Sequence, residues 1–286
     1  MQKRKFEVPF LPFKVNIYLT NYCNYSCEYC FLKEKNLLNT ESLDSEKRKK
    51  IIFYLKKYSV PLVSVCGGDP LVSEDYIEFV KELMENKNYV VTATNAVNLS
   101  KDFFIKLKEI GLKYLQIGID SIEYTKEKNY KEDNYVAKIL YSIKILQELG
   151  IKYGAGVCIT KENINEFENI LSFALKNNFE VIKIAFYSGK NNKFKLSQLE
   201  IDKFLIKIIN YNQQLNNSYI KSSLLPKTLN YISEFPTITI NTNGDIIIES
   251  NNFKIGNILN DDPGLIYINY LNTEERCNIK NEIQIK

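Results

Sequence analysis

The sequence predicts an α/β protein with a parallel sheet and a small β-hairpin after it. Three observations carry this: short β-branched runs alternate with longer amphipathic runs, the β-branched runs are almost wholly apolar, and the tail reads TITINTNGDIII with Asn-Gly at a turn. Alternation of this kind is the pattern of β/α units, and near-continuous apolar strands are what a sheet covered on both faces requires.

The strand candidates are residues 15–20 (VNIYLT), 62–66 (LVSVC), 89–94 (YVVTAT), 114–119 (YLQIGI), 153–160 (YGAGVCIT) and 181–187 (VIKIAFY), giving six units. Helical patterns lie between them. SEKRKKIIFYLKKY starts at Ser45 and EDYIEFVKELMEN at Glu74, and in VAKILYSIKILQELG the residues Ile139, Ile143 and Leu146 keep a helical apolar stripe that Gly150 stops. A sixth helix is expected near 197–214. Beyond it, residues 237–248 read as two strands joined at Asn243-Gly244.

Composition limits the function. A chain of 286 residues with 45% hydrophobic side chains buries one large core or two modest ones. The net charge of +4 arises from 38 basic and 34 acidic residues spread along the chain, so no charge block marks a nucleic-acid or membrane partner. No long apolar run or secretory signal is evident, and a cytoplasmic location is expected. There thiols stay reduced, and clustered cysteines read as metal ligands or reactive groups.

NYCNYSCEYCF, residues 21–31, holds three of the six cysteines, Cys23, Cys27 and Cys30, in a chain without histidine. The loop follows the first strand, at the end where parallel β/α barrels build active sites. A C-x3-C-x2-C loop can wrap three corners of a [4Fe–4S] cube and leave the fourth iron open. Zinc is the competing reading, but a structural zinc site needs four ligands and no histidine or second CxxC supplies the rest.

At these residues the sequence resembles the radical S-adenosylmethionine (radical SAM) enzymes, whose motif has this spacing and an aromatic before the last cysteine, here Tyr29. The resemblance continues at VSVCGGDPL (63–71), TATNAV (92–97) and GIDS (118–121), and spans roughly residues 14–190. It implies a partial (β/α)6, TIM-like barrel with the hairpin as a C-terminal extension. Its division would be an N-terminal extension at 1–14, the partial barrel at 15–215, and the hairpin extension at 216–286. It also implies one [4Fe–4S] cluster on Cys23, Cys27 and Cys30, whose open iron chelates S-adenosylmethionine. An electron then splits that cofactor to methionine and a 5′-deoxyadenosyl radical, which takes a substrate hydrogen.

For cofactor binding the resemblance singles out Tyr29, Gly67, Gly68, Asp69, Pro70, Thr94, Asn95, Asp120, Ser121 and Val157. Gly67 and Gly68 would let backbone approach the ligand and Pro70 would fix the turn. Val157 is the expected adenine contact. The sequence departs from the family pattern in three places: Asp69 replaces the usual glutamate, Ala96 follows Asn95 where glycine is commoner, and Gly118 stands where serine is frequent.

Residues 235–258 are similar to the opening of the SPASM/twitch auxiliary-cluster module of peptide-modifying members. The cysteines of that pattern would fall near Tyr231 and near Glu249 or Ser250 and are absent, which implies a degenerate module and a single cluster. The expected substrate is therefore a ribosomally made peptide, epimerised or cross-linked, with a flavodoxin or ferredoxin as electron donor. The alternatives are a small molecule such as a nucleotide, since CNYSCEYCF also resembles the viperin-like branch, and a non-catalytic iron–sulfur sensor. If the outcome is epimerisation, Cys277 in EERCNIK is the expected hydrogen donor.

Overall fold

A computed structural model describes residues 6–122, 134–215, 219–222 and 235–273. Strands β1 (Lys14–Thr20), β2 (Leu62–Gly67), β3 (Tyr89–Thr94), β4 (Tyr114–Gly118), β5 (Lys152–Ile159), β6 (Ile182–Phe186) and β7 (Ile220–Lys221) lie side by side in chain order, all parallel. Helices connect them: α1 (Phe31–Glu34) and α2 (Ser45–Lys57) after β1, then α3 (Tyr76–Glu85), α4 (Lys101–Glu109), α5 (Tyr135–Leu149), α6 (Phe167–Lys176) and α7 (Gln198–Gln214). Right-handed crossovers between sequential strands place these helices on one face of the sheet.

The helix boundaries follow the local chemistry. Asp44 accepts from the Lys47 amide at the start of α2, and Ser100 accepts from Phe103 at the start of α4. Ser197 and Glu200 form a reciprocal capping box on α7. Gly150 ends α5 in the left-handed conformation, φ 65°. Asp69 caps the short 3-10 turn Pro70–Val72, which delays α3 to Tyr76.

The expectation that both faces of the strands are covered needs correction. Val15, Ile17 and Leu19 of β1, Val63 and Val65 of β2, and Leu115 and Ile117 of β4 are completely buried in one core with the helices. Many of the alternating residues are not: Tyr18, Ser64, Cys66, Gln116, Gly156 and Cys158 are half-buried and Lys183 and Ala185 are exposed, while Asn16, Tyr114 and Gly154 on the same face are buried. The sheet does not close between β7 and the strands of the tail, so its inner face is a concave wall instead of a packed barrel interior.

The tail is more than a hairpin. Strand β8 (Ile238–Ile240) pairs parallel with β1, with Val15 opposite Ile238 and Ile17 opposite Ile240. It turns through Asn241–Gly244 into β9 (Asp245–Ile248), which pairs with a third antiparallel strand, β10 (Phe253–Asn257). Gly244 takes φ 88° in that turn, the reason for Asn-Gly there. Helix α8 (Pro263–Asn272), capped by Asp262, follows. The Asn272 side chain accepts from the Phe6 amide at 2.9 Å, and Phe10 stacks edge-on against Tyr267, tying the N-terminal segment to α8.

Candidate active site

The cysteine loop leaves the C-terminal end of β1 and runs into α1, with Cys30 at the N-cap position. Cys23, Cys27 and Cys30 are all partly exposed. The Cys23 amide donates to Asn39 Oδ1 at 2.9 Å, the Tyr25 amide donates to the Cys23 sulfur at 3.4 Å, and the Cys30 amide donates to the Cys27 carbonyl at 3.2 Å. Burial pushes the Cys23 thiol up to about 12; Asp69, Cys27 and Cys30 add to the rise and the Tyr25 amide opposes it. As thiolates, Cys27 and Cys30 oppose ionisation of Cys23, and a bound cation relieves that. Among the described residues no three His, Cys, Asp or Glu side chains converge on one point as a single-ion site demands. A cluster, with each cysteine on a different iron, asks for no such convergence.

The GGDP turn is built against this loop. Gly67 adopts φ 130°, and a Cβ there would lie 2.2 Å from the Thr20 carbonyl oxygen; a Cβ on Gly68 would lie 2.2 Å from that of Tyr22. The Gly68 amide donates to Thr20 O at 2.7 Å and the Asp69 amide to Tyr22 O at 2.8 Å. Gly67 thus makes room for the backbone at the end of β1 and Gly68 for that of the cysteine loop.

Asp69 is buried, and its carboxylate accepts from Leu71 N at 3.0 Å, Thr94 Oγ1 at 2.8 Å and Asn95 N at 2.9 Å. Burial raises its carboxyl above the usual range against the pull of those donors. The shorter acid reaches sideways to the end of β3 and closes a ring of three strand ends. Asn95 completes it: its side-chain amide donates to Asn24 Oδ1 at 2.5 Å and approaches the Cys23 sulfur at 3.8 Å. Ala96 stands at φ 54°, the left-handed region that explains the family's glycine at this position.

A second group forms at the ends of β4 and β5. The Tyr29 hydroxyl donates to Asp120 Oδ2 at 2.5 Å, and Asp120 Oδ1 accepts from the Cys158 amide at 2.7 Å. Asn163 Nδ2 bridges the carbonyls of Asp120 (2.9 Å) and Cys158 (2.8 Å). Ser121 Oγ donates to Glu166 at 2.7 Å. Val157 does not join this group. It is 2% exposed and shares the helix-facing side with Ala155 and Ile159, while Gly156 and Cys158 face the concave wall. Strand parity separates the two faces, and Val157 falls on the wrong one for a side-chain contact with a ligand there. Cys277 lies outside the described residues.

Sequence reasoning passed over a clasp on the far side of the loop. The Glu34 carboxylate accepts from the Lys190 amide at 2.6 Å and the Tyr187 hydroxyl at 2.9 Å, and Lys193 pairs with Glu28 at 2.8 Å. Gly189 was the available signal: a Cβ there would lie 2.1 Å from the Tyr187 hydroxyl and 2.2 Å from Glu34 Oε2.

The family model of the Radical SAM superfamily matches residues 17–174. The chain belongs to the radical SAM superfamily. Members of this superfamily use a [4Fe–4S] cluster and S-adenosylmethionine. Among curated relatives, the Fe-coproporphyrin III synthase of Methanosarcina barkeri is 27% identical over 64% of this chain and 47% of its own length, so the match spans about half of that protein. The S-adenosylmethionine-dependent nucleotide dehydratase of Flammeovirga pacifica is 25% identical over 75% of each chain. Among solved structures, SuiB of Streptococcus suis bound to precursor peptide SuiA superposes with TM-score 0.71 and 18% identity, covering 90% of this chain and 65% of SuiB. That likeness establishes the radical SAM fold, a partial barrel. No helix among the described residues is long and apolar enough to cross a membrane.

Proposed function

We propose that Cys23, Cys27 and Cys30 hold one [4Fe–4S] cluster, and that the chain is an enzyme abstracting a hydrogen atom from a substrate on the concave wall. The observation that carries this is the ring joining three strand ends: the Gly68 and Asp69 amides on the cysteine loop, and the Asp69 carboxylate on Thr94 and Asn95. The donor set fits the cluster, with three soft sulfurs on one loop and a Cys23 thiol that its surroundings disfavour ionising without a cation. When bound, the cluster and S-adenosylmethionine supply one-electron cleavage of a carbon–sulfur bond and hydrogen-atom abstraction.

The chain's own residues do the positioning. The GGDP backbone and Asn95 fix the loop on one side, the Glu34–Tyr187–Lys190 clasp fixes it on the other, and Asp120 holds Tyr29 against β5. Pre-set contacts of this kind align reacting groups without reorganisation. Anaerobically reconstituted protein, reduced with S-adenosylmethionine present, should release 5′-deoxyadenosine; a sensor that only carries a cluster would release none. A flavodoxin or ferredoxin is the class of donor proposed for the electron.

Two substrate classes have support of different kinds. A small anionic molecule is favoured by the exposed lysines Lys183 and Lys221, register partners on β6 and β7. A ribosomally made peptide is favoured by the tail, whose three strands we read as a degenerate SPASM/twitch module without its cysteines. A precursor peptide or nucleotide offered to the reconstituted chain, with product mass as readout, separates them.

A further inference from the structure

The far end of the concave wall, away from the cysteine loop, is basic and incomplete. Lys183 on β6 and Lys221 on β7 are direct register partners, two like charges side by side, a destabilising arrangement in a sheet. Both are exposed, and no acid among the described residues forms an ion pair with either. Lys14, the first residue of β1, alternates with the core-facing Val15 and Ile17 and so takes the same face of the sheet as Lys183. Burial, then Lys14 and Lys221, hold the Lys183 ammonium below its usual value. Two acids border this group: Glu180, paired with Lys152 at 2.6 Å, adds to burial in raising the Tyr114 hydroxyl, and Glu249, just after β9, acts on the buried Cys66 thiol together with Lys14. Among the described residues neither forms an ion pair with Lys14, Lys183 or Lys221.

Two buried polar atoms on this face lack any partner, the Tyr114 hydroxyl of β4 and Asn16 Oδ1 of β1. Tyr114 is 8% exposed and Asn16 6%. Such orphans are rare in native proteins and mark places where something else bonds. Lys183 Nζ lies 5.8 Å from the Tyr114 ring centroid. Gly154 gives Tyr114 its room, since a Cβ there would sit 2.0 Å from the hydroxyl, and Gly156 does the same for Gln116 at 2.6 Å.

We infer that Lys14, Lys183, Lys221 and the Tyr114 hydroxyl form a seat for the phosphate groups of a small substrate, with Asn16 Oδ1 accepting from a hydroxyl of the same molecule. The inference rests on the reading of the site given above. Three ammonium groups and a hydroxyl exceed what a single carboxylate uses, and they suit a multiply charged oxyanion. Lys14 and Thr20 begin and end β1, about 20 Å apart along the strand. An extended nucleotide or sugar phosphate seated at the Lys14 end would present its carbon skeleton toward the cysteine end.

The test uses the full reconstituted chain and inorganic triphosphate as probe. Calorimetry should show saturable binding that weakens with salt, and triphosphate should protect Lys183 and Lys221 from acetylation by acetic anhydride. Lys183→Ala and Lys221→Ala should each weaken binding about tenfold or more, Lys183→Arg should retain most of it, and Lys176→Ala, on α6, should leave it unchanged. Melting temperatures of the two alanine variants should not fall, because a repulsion is removed, so lost binding is not lost folding. Absence of saturable binding, undiminished binding in both variants, or preference for a glutamate-rich peptide over triphosphate would overturn the inference. Failure of wild-type protein to release 5′-deoxyadenosine would instead sink the reading of the catalytic end, since triphosphate binding is scored without turnover.

Discussion

The Asn21 side-chain amide donates to Thr242 Oγ1 at 2.9 Å, across 221 residues of sequence. Thr242 in turn donates to Glu41 Oε1 at 2.8 Å, and the Asn21 amide donates to the Glu41 carbonyl at 2.8 Å. The turn of the tail hairpin therefore buttresses the base of the cysteine loop. Thr242→Val keeps the volume and removes both side-chain bonds. It should cost about 1–2 kcal/mol, lower the melting temperature by a few degrees, and speed loss of iron to a chelator. An unchanged iron-release rate would show that the tail does not support the loop.

Replacing Cys23, Cys27 and Cys30 together should abolish iron–sulfur absorption, while replacing Cys66, Cys158 and Cys277 together should leave it. Reconstituted wild type should hold about four irons per chain. A content near eight would require a second cluster.

Gly68→Ala should impair the cysteine loop itself. The added methyl meets a carbonyl oxygen at 2.2 Å, and the backbone there cannot move without breaking the Asp69–Tyr22 hydrogen bond. Cluster incorporation and S-adenosylmethionine binding should fall together. A variant that loads iron normally and loses only cofactor affinity would restore the reading in which the space beside Gly68 belongs to the ligand.

Asp69→Asn should cost roughly 1–3 kcal/mol, since an amide presents hydrogens toward Thr94 and the Asn95 N–H. The pH dependence has a defined sign. Burial raises the Asp69 carboxyl in the folded state, so its contribution is fullest below the ordinary carboxylate value and declines as pH rises through the raised one. Wild type should gain stability relative to Asp69→Asn as pH falls from neutrality through that window, as melting temperatures would register. A difference that shrinks with acidification would mean the folded carboxyl is depressed.

Tyr187→Phe removes one of the two donors to Glu34 and should loosen the clasp with little change in melting temperature, because the bond is exposed to solvent. The cluster's electron paramagnetic resonance lines should broaden as the loop loses its fixed seat. Identical spectra would limit the clasp to holding the 187–193 segment.

What was legible in the sequence was what is local. Cys23, Cys27 and Cys30 declare themselves by spacing, and the β/α order is written in the alternation of apolar runs. The bonds of Asp69 were not legible because its partners, Thr94 and Asn95, are 25 and 26 residues away and belong to another strand end. Gly67 and Gly68 were recognised as a close approach, but no sequence shows which backbone fills the space. Val157 was placed on the ligand side because a nearly all-apolar strand hides its parity. In β6, by contrast, Ile182, Lys183, Ile184 and Ala185 do alternate, and that pattern could have exposed the open inner face. Strand β10 escaped notice because FKIGN has little of the β-branched character of the others.

Pairing between β1 and β8 also bears on when this protein can be completed. The strand that carries the cysteine loop is internal to the sheet, with β2 on one side and β8 on the other. On a ribosome adding about 5–20 residues per second, Ile238–Ile240 emerge roughly 10–40 s after Thr20. Until then one edge of β1 has no ladder and Asn21 has no Thr242 to meet. A nascent chain thus shows its three thiols long before the frame around them is whole, and iron delivered early would meet a loop still without its final support.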